Sequence, residues 1–314
     1  MAAPHRIIID TDPGQDDAIA ILLALASPEV EVRAVTAVAG NVPLPLTERN
    51  ARALVELAGR PDVPVAAGCA RPMVRDLVTA EAVHGATGLN GADLPEPTIP
   101  LDPRHAVDLI IDEAMAADPG SLTLCVLGPM TNVAMAMVKA PEIIPRLARI
   151  VFMGGGFFEG GNTTPAAEFN VYVDPHAARI VFDSGVPLVA APLDVTHRAL
   201  MPKPWIESLG ALGTATGRAC KGMLGFYERF DIERYGQEGG PLHDPCVIAW
   251  LIDASLFGGR HVDVQVEIGS ELTMGMTVVD WWGQTGRPGN CLWLREIDAS
   301  RFFGLLHDRL ATLP

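Results

Sequence analysis

From about residue 6 to residue 193, short, predominantly apolar runs alternate with stretches of helical periodicity. This rhythm constrains the fold more than any other feature of the chain. Strands are expected at 6–10, 32–39, 63–67, 122–127, 149–153 and 187–193, and helices at 16–26, 47–58, 105–117, 132–139 and 175–183. A strand without polar alternation has to be covered on both faces, as in a parallel sheet flanked by helices. Strand–helix alternation then predicts right-handed βαβ units and an open, doubly wound, mostly parallel α/β sheet. Glycine and proline gather at the joints, as at Asp12-Pro13-Gly14 and Leu127-Gly128-Pro129. Past residue 200 the rhythm loosens. Residues 222–242 read as a helix feeding a glycine-rich loop, followed by a helix at 244–252 and strands at 262–268 and 277–280. No repeat or linker interrupts the chain, so one domain over 1–314 is expected.

Composition narrows the function classes. With 49% hydrophobic and 19% charged residues, 314 residues can build a large core, which excludes a disordered chain. The longest apolar run, at 18–26, is far short of the roughly 20 residues a bilayer span needs, so no membrane partner is expected. Twenty-three Lys and Arg against 38 Asp and Glu give a net charge of −15, with no basic cluster to neutralise phosphates. Nucleic acid is therefore not an expected partner. Five widely spaced cysteines without a C-x-x-C suit reduced thiols, and no apolar leader precedes the first strand; a cytoplasmic protein is expected.

The strongest local signal is Asp10-Thr-Asp12-Pro-Gly-Gln-Asp16-Asp17, four carboxylates in eight positions at a strand-to-helix junction. Ligands of open α/β sheets bind beyond the carboxyl ends of the strands. Helix capping accounts for one or two of these acids, not for Asp10 and Asp12. A hard divalent cation would relieve their mutual repulsion. Weaker signals are His243-Asp244-Pro245, for which Asp at an N-cap is the bland explanation, and Asn162, Glu168 and Asn170 in a polar loop. Asn41 at a strand end and His84 in a loop complete the set. Gly154-Gly155-Gly156 opens no helix to receive a pyrophosphate, and no P-loop, H-E-x-x-H or G-x-S-x-G is present.

Together these segments resemble the inosine–uridine-preferring nucleoside hydrolases, which cleave the N-glycosidic bond of ribonucleosides with Ca²⁺. Asp10-Thr-Asp-Pro-Gly-Gln-Asp-Asp-Ala-Ile-Ala matches the family's D-x-D-P-G-x-D-D-A-x-A signature at every fixed position. Gly40-Asn41, His84-Gly85, Gly128-Pro-Met-Thr-Asn132, Met153-Gly-Gly-Gly156, Glu168-Phe-Asn170 and His243-Asp-Pro245 follow in order. The resemblance implies Ca²⁺ held by Asp12, Asp17, Asp244 and the carbonyl of Leu127, with Asp12 as the base that activates a water on the ion. It implies Asp16, Asn41, Asn162, Glu168 and Asn170 on the ribose hydroxyls and Met153 beneath the sugar. His84 and His243 would face the nucleobase, and the subunits would assemble as a homodimer or homotetramer. His243 is the candidate proton donor, since imidazole titrates near neutrality. Phe226, Tyr227, Phe230 and Tyr235 are available to cover the base, with Asp231 among them; core packing explains them equally well. Two rivals stand beside this reading. One is a phosphatase forming an aspartyl-phosphate at Asp10. The other is a non-catalytic protein binding Ca²⁺ and a sugar.

Overall fold

The computed structural model describes residues 3–235 and 239–314, and side chains except at 230–235. Phe230, Asp231 and Tyr235 thus lie outside the residues whose side chains are described. Ten strands are present among the described residues: β1 His5–Thr11, β2 Val30–Ala37, β3 Val65–Ala67, β4 Leu122–Val126, β5 Leu147–Met153, β6 Leu188–Ala191, β7 Phe257–Val262, β8 Val264–Val266, β9 Thr277–Val279 and β10 Cys291–Ile297. Eight form one sheet in the order β3-β2-β1-β4-β5-β6-β10-β7, and β8 and β9 pair separately. All neighbours in the large sheet run parallel except β7 against β10. This is the doubly wound α/β architecture expected.

The all-apolar strands explain the layering. On β1, Ile7 and Ile9 enter one core and Ile8 the other, because successive side chains point to opposite faces. Each fully buried aliphatic side chain contributes about 1.5–3 kcal/mol. The helix Gln15–Ala26 is buried on nearly every side, with Ala18 through Leu23 fully enclosed. It packs against the helices Leu44–Leu57, Ala215–Tyr235, Pro245–Ile252 and Ala299–Leu310. Such a central helix has no polar face to spare, and its first turn carries only residues with work at the sheet edge.

Two strand expectations needed correction. The run 262–268 is broken at Asp263: Val262 ends an edge strand of the large sheet, whereas Val264–Val266 pairs with Thr277–Val279. The carbonyl of Asp263 accepts from the Asp280 N–H, and its carboxylate accepts from Gln265 and Arg287, which divert the chain there. The strand expected at 63–67 begins at Val65, because Pro64 has no N–H to pair and supplies only its carbonyl, to Val35.

Candidate active site

Strand order reverses between β1 and β4, since β1 continues to β2 and β3 on one side while β4 leads to β5 and β6 on the other. At such a switch point the loops diverge and leave a crevice beyond the strand ends. A cavity of about 430 Å³ opens there. Its lining includes Asp16, Asn41, His84, Leu127, Met153, Asn162, Glu168, Asn170, His243 and Asp244, ten of the residues singled out in the sequence. Asp12 and Asp17 are fully enclosed and lie beneath them.

The floor is acidic. Asp16 and Asp17 open the helix Gln15–Ala26, and Asp244 precedes the helix Pro245–Ile252, yet oxygens of all three lie within 4.8 Å of one another. Asp244 sits at the N-cap position with no side-chain bond to its helix, so its carboxylate faces the cluster and the capping explanation does not hold. Asp17 is held from three sides, accepting from the Thr11 hydroxyl, the Gly14 N–H at 2.9 Å and Asn41 Nδ2 at 3.2 Å. Burial raises the pKa of every member. Asp16 is pushed up to about 8 by burial and then by the charge of Asp17. Burial first, then Asp16, Asp17 and Asp12, hold Asp244 well above the usual carboxylate range.

Asp12 belongs to the same electrostatic group, since burial and the charges of Asp17 and Asp16 raise it. Its Oδ2 accepts from the Asn41 N–H at 2.7 Å, while its Oδ1 meets no hydrogen-bond partner among the described residues. Glycines on both sides make room for it. A Cβ on Gly40 would stand 2.0 Å from Oδ2, and one on Gly128 would stand 2.2 Å from Oδ1. A buried carboxylate oxygen without a partner is costly, and an all-oxygen donor set converging beside it suits a hard divalent cation. The residues present therefore fit such an ion, and Leu127 lines the same cavity.

Asp10 is placed elsewhere. Its Oδ1 accepts from Thr36 Oγ1 at 2.6 Å and Asn132 Nδ2 at 2.8 Å, and it does not line the cavity. Burial pushes it up to about 7 against those two bonds. Asn132 also bonds the Ala37 carbonyl and the Cys69 N–H, so Asp10 belongs to a tie between strand ends. Its Oδ2 is buried without a hydrogen-bond partner among the described residues, but Asp10 does not line the cavity, so it is not presented there as a nucleophile and the aspartyl-phosphate rival loses its footing.

The loop side is ordered by side chains bonding backbone. Glu168 caps the helix Phe169–Val173 through the N–H groups of Asn170 and Val171 and also takes the Gly155 N–H at 3.0 Å. Burial raises it to about 7 despite these bonds. Asn170 Nδ2 donates to the carbonyls of Leu127, at 2.7 Å, and Met153, at 3.2 Å. Asn162 Oδ1 accepts from the Phe169 N–H.

On the opposite wall His84 stacks on Tyr227, with centroids 5.7 Å apart and planes 24° from parallel. Gln15 donates its amide hydrogens to the carbonyls of His84 and Asn90, so its Oε1 faces His84 Nδ1 at 2.7 Å. Burial lowers His84 to about 4. His243 Nδ1 pairs with Thr196 Oγ1 at 2.7 Å. An imidazole titrating near neutrality was expected there; instead burial, with His197 and His84 adding their charge, holds it well below the ordinary value. The sequence reading missed Glu159 and His197, which also line the cavity. The available signal was position alone, since each follows the end of a parallel strand, β5 and β6, by six residues.

Comparison with known proteins agrees across the chain. The family model described as inosine-uridine preferring nucleoside hydrolase matches residues 7–304. A pyrimidine-specific ribonucleoside hydrolase, RihA, of Enterobacter is 47% identical over 312 residues, 99% of this chain and 98% of that protein. Among solved structures, a plant nucleoside hydrolase superposes with a TM-score of 0.90 at 33% identity, covering 98% of this chain and 99% of that one. A purine-preferring ribonucleoside hydrolase from Gardnerella vaginalis superposes with a TM-score of 0.91 at 31% identity, with 98% of both chains covered.

Proposed function

The chain belongs to the inosine–uridine preferring nucleoside hydrolase family and is a ribonucleoside hydrolase, and on that premise we propose a Ca²⁺-dependent enzyme that prefers pyrimidine ribonucleosides. One observation carries the cation: Asp16, Asp17 and Asp244 converge beside an unpartnered oxygen of Asp12 on the floor of the cavity. Asp12, Asp17, Asp244 and the Leu127 carbonyl would hold it, and a large, irregular oxygen shell favours calcium over magnesium. Bound there, the ion supplies Lewis acidity and a grip on the vicinal ribose diol. The pyrimidine preference is supported by the RihA relatives, several of which are 46–47% identical to this chain.

The residues divide the reaction between them. Asp12, fixed by the Asn41 N–H through Oδ2, takes the proton of the attacking water on its remaining oxygen. Asp16, Asn41, Asn162, Glu168 and Asn170 hold ribose hydroxyls, with Met153 beneath the ring. Breaking the N-glycosidic bond builds positive charge on the sugar, and buried carboxylates and oriented amide oxygens favour that charge. His84 with Tyr227 takes the nucleobase face. With Nδ1 paired to Thr196 Oγ1, His243 has Nε2 as its remaining ring nitrogen, and we assign that nitrogen the hydrogen bond to the leaving base. We read residues 1–314 as one catalytic domain that assembles into a homo-oligomer. Its five free cysteines suit a reducing cytoplasm. Among the described residues no helix is long and apolar enough to cross a membrane.

The test incubates purified protein with cytidine, uridine, inosine and adenosine and measures ribose, with and without chelator. Ribose release from the pyrimidine nucleosides that chelator abolishes and Ca²⁺ restores is expected. Release that ignores the chelator would refute the metal assignment, and faster cleavage of inosine would refute the base preference.

A further inference from the structure

Resting on the ribonucleoside reading, we infer that Gln15 is a positioning residue that fixes the tautomer of His84. His84 then takes a hydrogen bond from the substrate through Nε2 and has no ring proton to give there. Gln15 fills the variable position between Gly14 and Asp16 in the acidic motif of the first turn. It is fully buried and does not line the cavity, so it acts on a substrate only through its neighbour.

The amide of Gln15 can be turned only one way. Its Nε2 lies 2.9 Å from the His84 carbonyl and 3.1 Å from the Asn90 carbonyl, and its Oε1 lies 2.7 Å from His84 Nδ1. The reversed amide would set its oxygen against two carbonyl oxygens, each of which can only accept. With Oε1 toward the ring, the Nδ1 contact is a hydrogen bond only if Nδ1 carries the hydrogen. A neutral imidazole has one N–H, so Nε2 is then a lone pair. Burial keeps the ring neutral, lowering His84 to about 4.

One side chain thus holds His84 at two points, its backbone carbonyl and its ring. Gly14 closes a third side, because a Cβ there would stand 2.4 Å from His84 Nδ1 and 2.7 Å from Cε1. Asn50 Nδ2 bridges the carbonyls of Pro13 and Thr87, at 3.1 and 2.7 Å, and ties the same turn to the loop after His84. Tyr227 covers a face of the ring. Nε2 remains: no group among the described residues bonds it, and His84 lines the cavity. The two ring nitrogens point apart, and Nδ1 is turned to a residue outside the lining. Nε2 is therefore the nitrogen that the cavity meets.

Polarity then sorts the groups a substrate can place there. An acceptor at Nε2 favours an N–H or O–H and disfavours a carbonyl set against it. On uridine, outside the diol assigned to the floor, these donors are the N3–H of the base and the 5′-hydroxyl. A proton for the departing base cannot come from Nε2 of this tautomer, which separates the role of His84 from that assigned to His243.

The first test is nitrogen NMR of protein isotopically labelled in its histidines, with His84 identified by the signals lost in His84→Phe. The wild type should show Nδ1 protonated and Nε2 bare. Gln15→Met keeps the length of the side chain without its amide and should admit the form protonated on Nε2. A proton on Nε2 in the wild type, or a tautomer unchanged in Gln15→Met, overturns the proposal. The second test reads kcat/KM for uridine, 3-methyluridine and 5′-deoxyuridine in the wild type and in His84→Phe, which keeps a ring against Tyr227 and lacks the acceptor. One analogue should lose about tenfold more against uridine in the wild type than in His84→Phe. If it is 3-methyluridine the donor belongs to the base, and if it is 5′-deoxyuridine the donor belongs to the sugar. Ratios that agree between the two proteins for both analogues overturn the acceptor role. If Gln15→Met does not fold, the wild-type spectrum and the analogue ratios still decide. Absence of ribose release from uridine in the wild type would mean that the ribonucleoside reading has failed, while the spectrum would still report the tautomer.

Discussion

Asp12 illustrates how much a single residue is asked to do here. One of its oxygens is tied to the Asn41 N–H and the other is left without a protein partner, between two glycines that exclude any bulkier neighbour. Asn is close to Asp in size, so Asp12→Asn keeps the shape while removing both the charge and the ability to take a proton. Turnover should fall by about three orders of magnitude or more. Asn170→Ala removes a group that orients carbonyls and sugar and should cost about ten- to a hundredfold. Steady-state rates with uridine check both; small and equal losses would mean the roles are misassigned. The carboxylates were legible from sequence because four acids in eight positions are hard to explain by capping alone. Glu159 and His197 were not, because their significance comes from a hydrogen bond between residues 38 positions apart.

At the scale of elements, the turns after the strands hold the geometry. The turn Leu127-Gly128-Pro129 leaves β4 so closely over Asp12 that a methyl group at Gly128 would overlap its Oδ1. Gly128→Ala should therefore displace Asp12 and lower kcat by about a hundredfold, while the thermal midpoint falls by only about a few degrees. Activity near wild type with a large loss of stability would show that the turn, and not Asp12, yields to the methyl group. Strands of the first two-thirds were readable because burial on both faces leaves apolar residues on both sides of each strand's centre, as in Ile7-Ile8-Ile9. β7 and β10 were not. β7 reads Phe-Gly-Gly-Arg-His-Val at the sheet edge, and β10 carries Arg295 and Glu296 where it runs past β6 and pairs only with β7. The helix Ala299–Leu310 is amphipathic but lies past the point where the strand–helix rhythm had already dissolved.

For the molecule as a whole, the topology gathers Asp12, Asp17 and Asp244, more than 200 residues apart in sequence, into one solvent-poor floor. Like charges buried together oppose folding until a cation or protons offset them. A ligand that binds only the folded state stabilises it by about 2.7 kcal/mol at a hundred times its Kd. Added Ca²⁺ should consequently raise the thermal midpoint by about a few degrees over chelated protein, with the shift growing logarithmically with concentration. Identical melting curves in Ca²⁺ and in chelator would deny the floor a cation. The sequence reading could place that floor without knowing the strand order, because the acids sit at strand ends. It could not place the mouth, which depends on how the last hundred residues return to the sheet.

That return has a consequence for how the protein comes into being. β10 is inserted between β6 and β7, and Trp293 on it reaches back to Asp194, so the sheet's far half is finished by the strand that follows all the others in sequence. During synthesis on a ribosome, the half around β1 and β4 is available early, but Asp194 waits for its indole partner until residue 293 has left the tunnel.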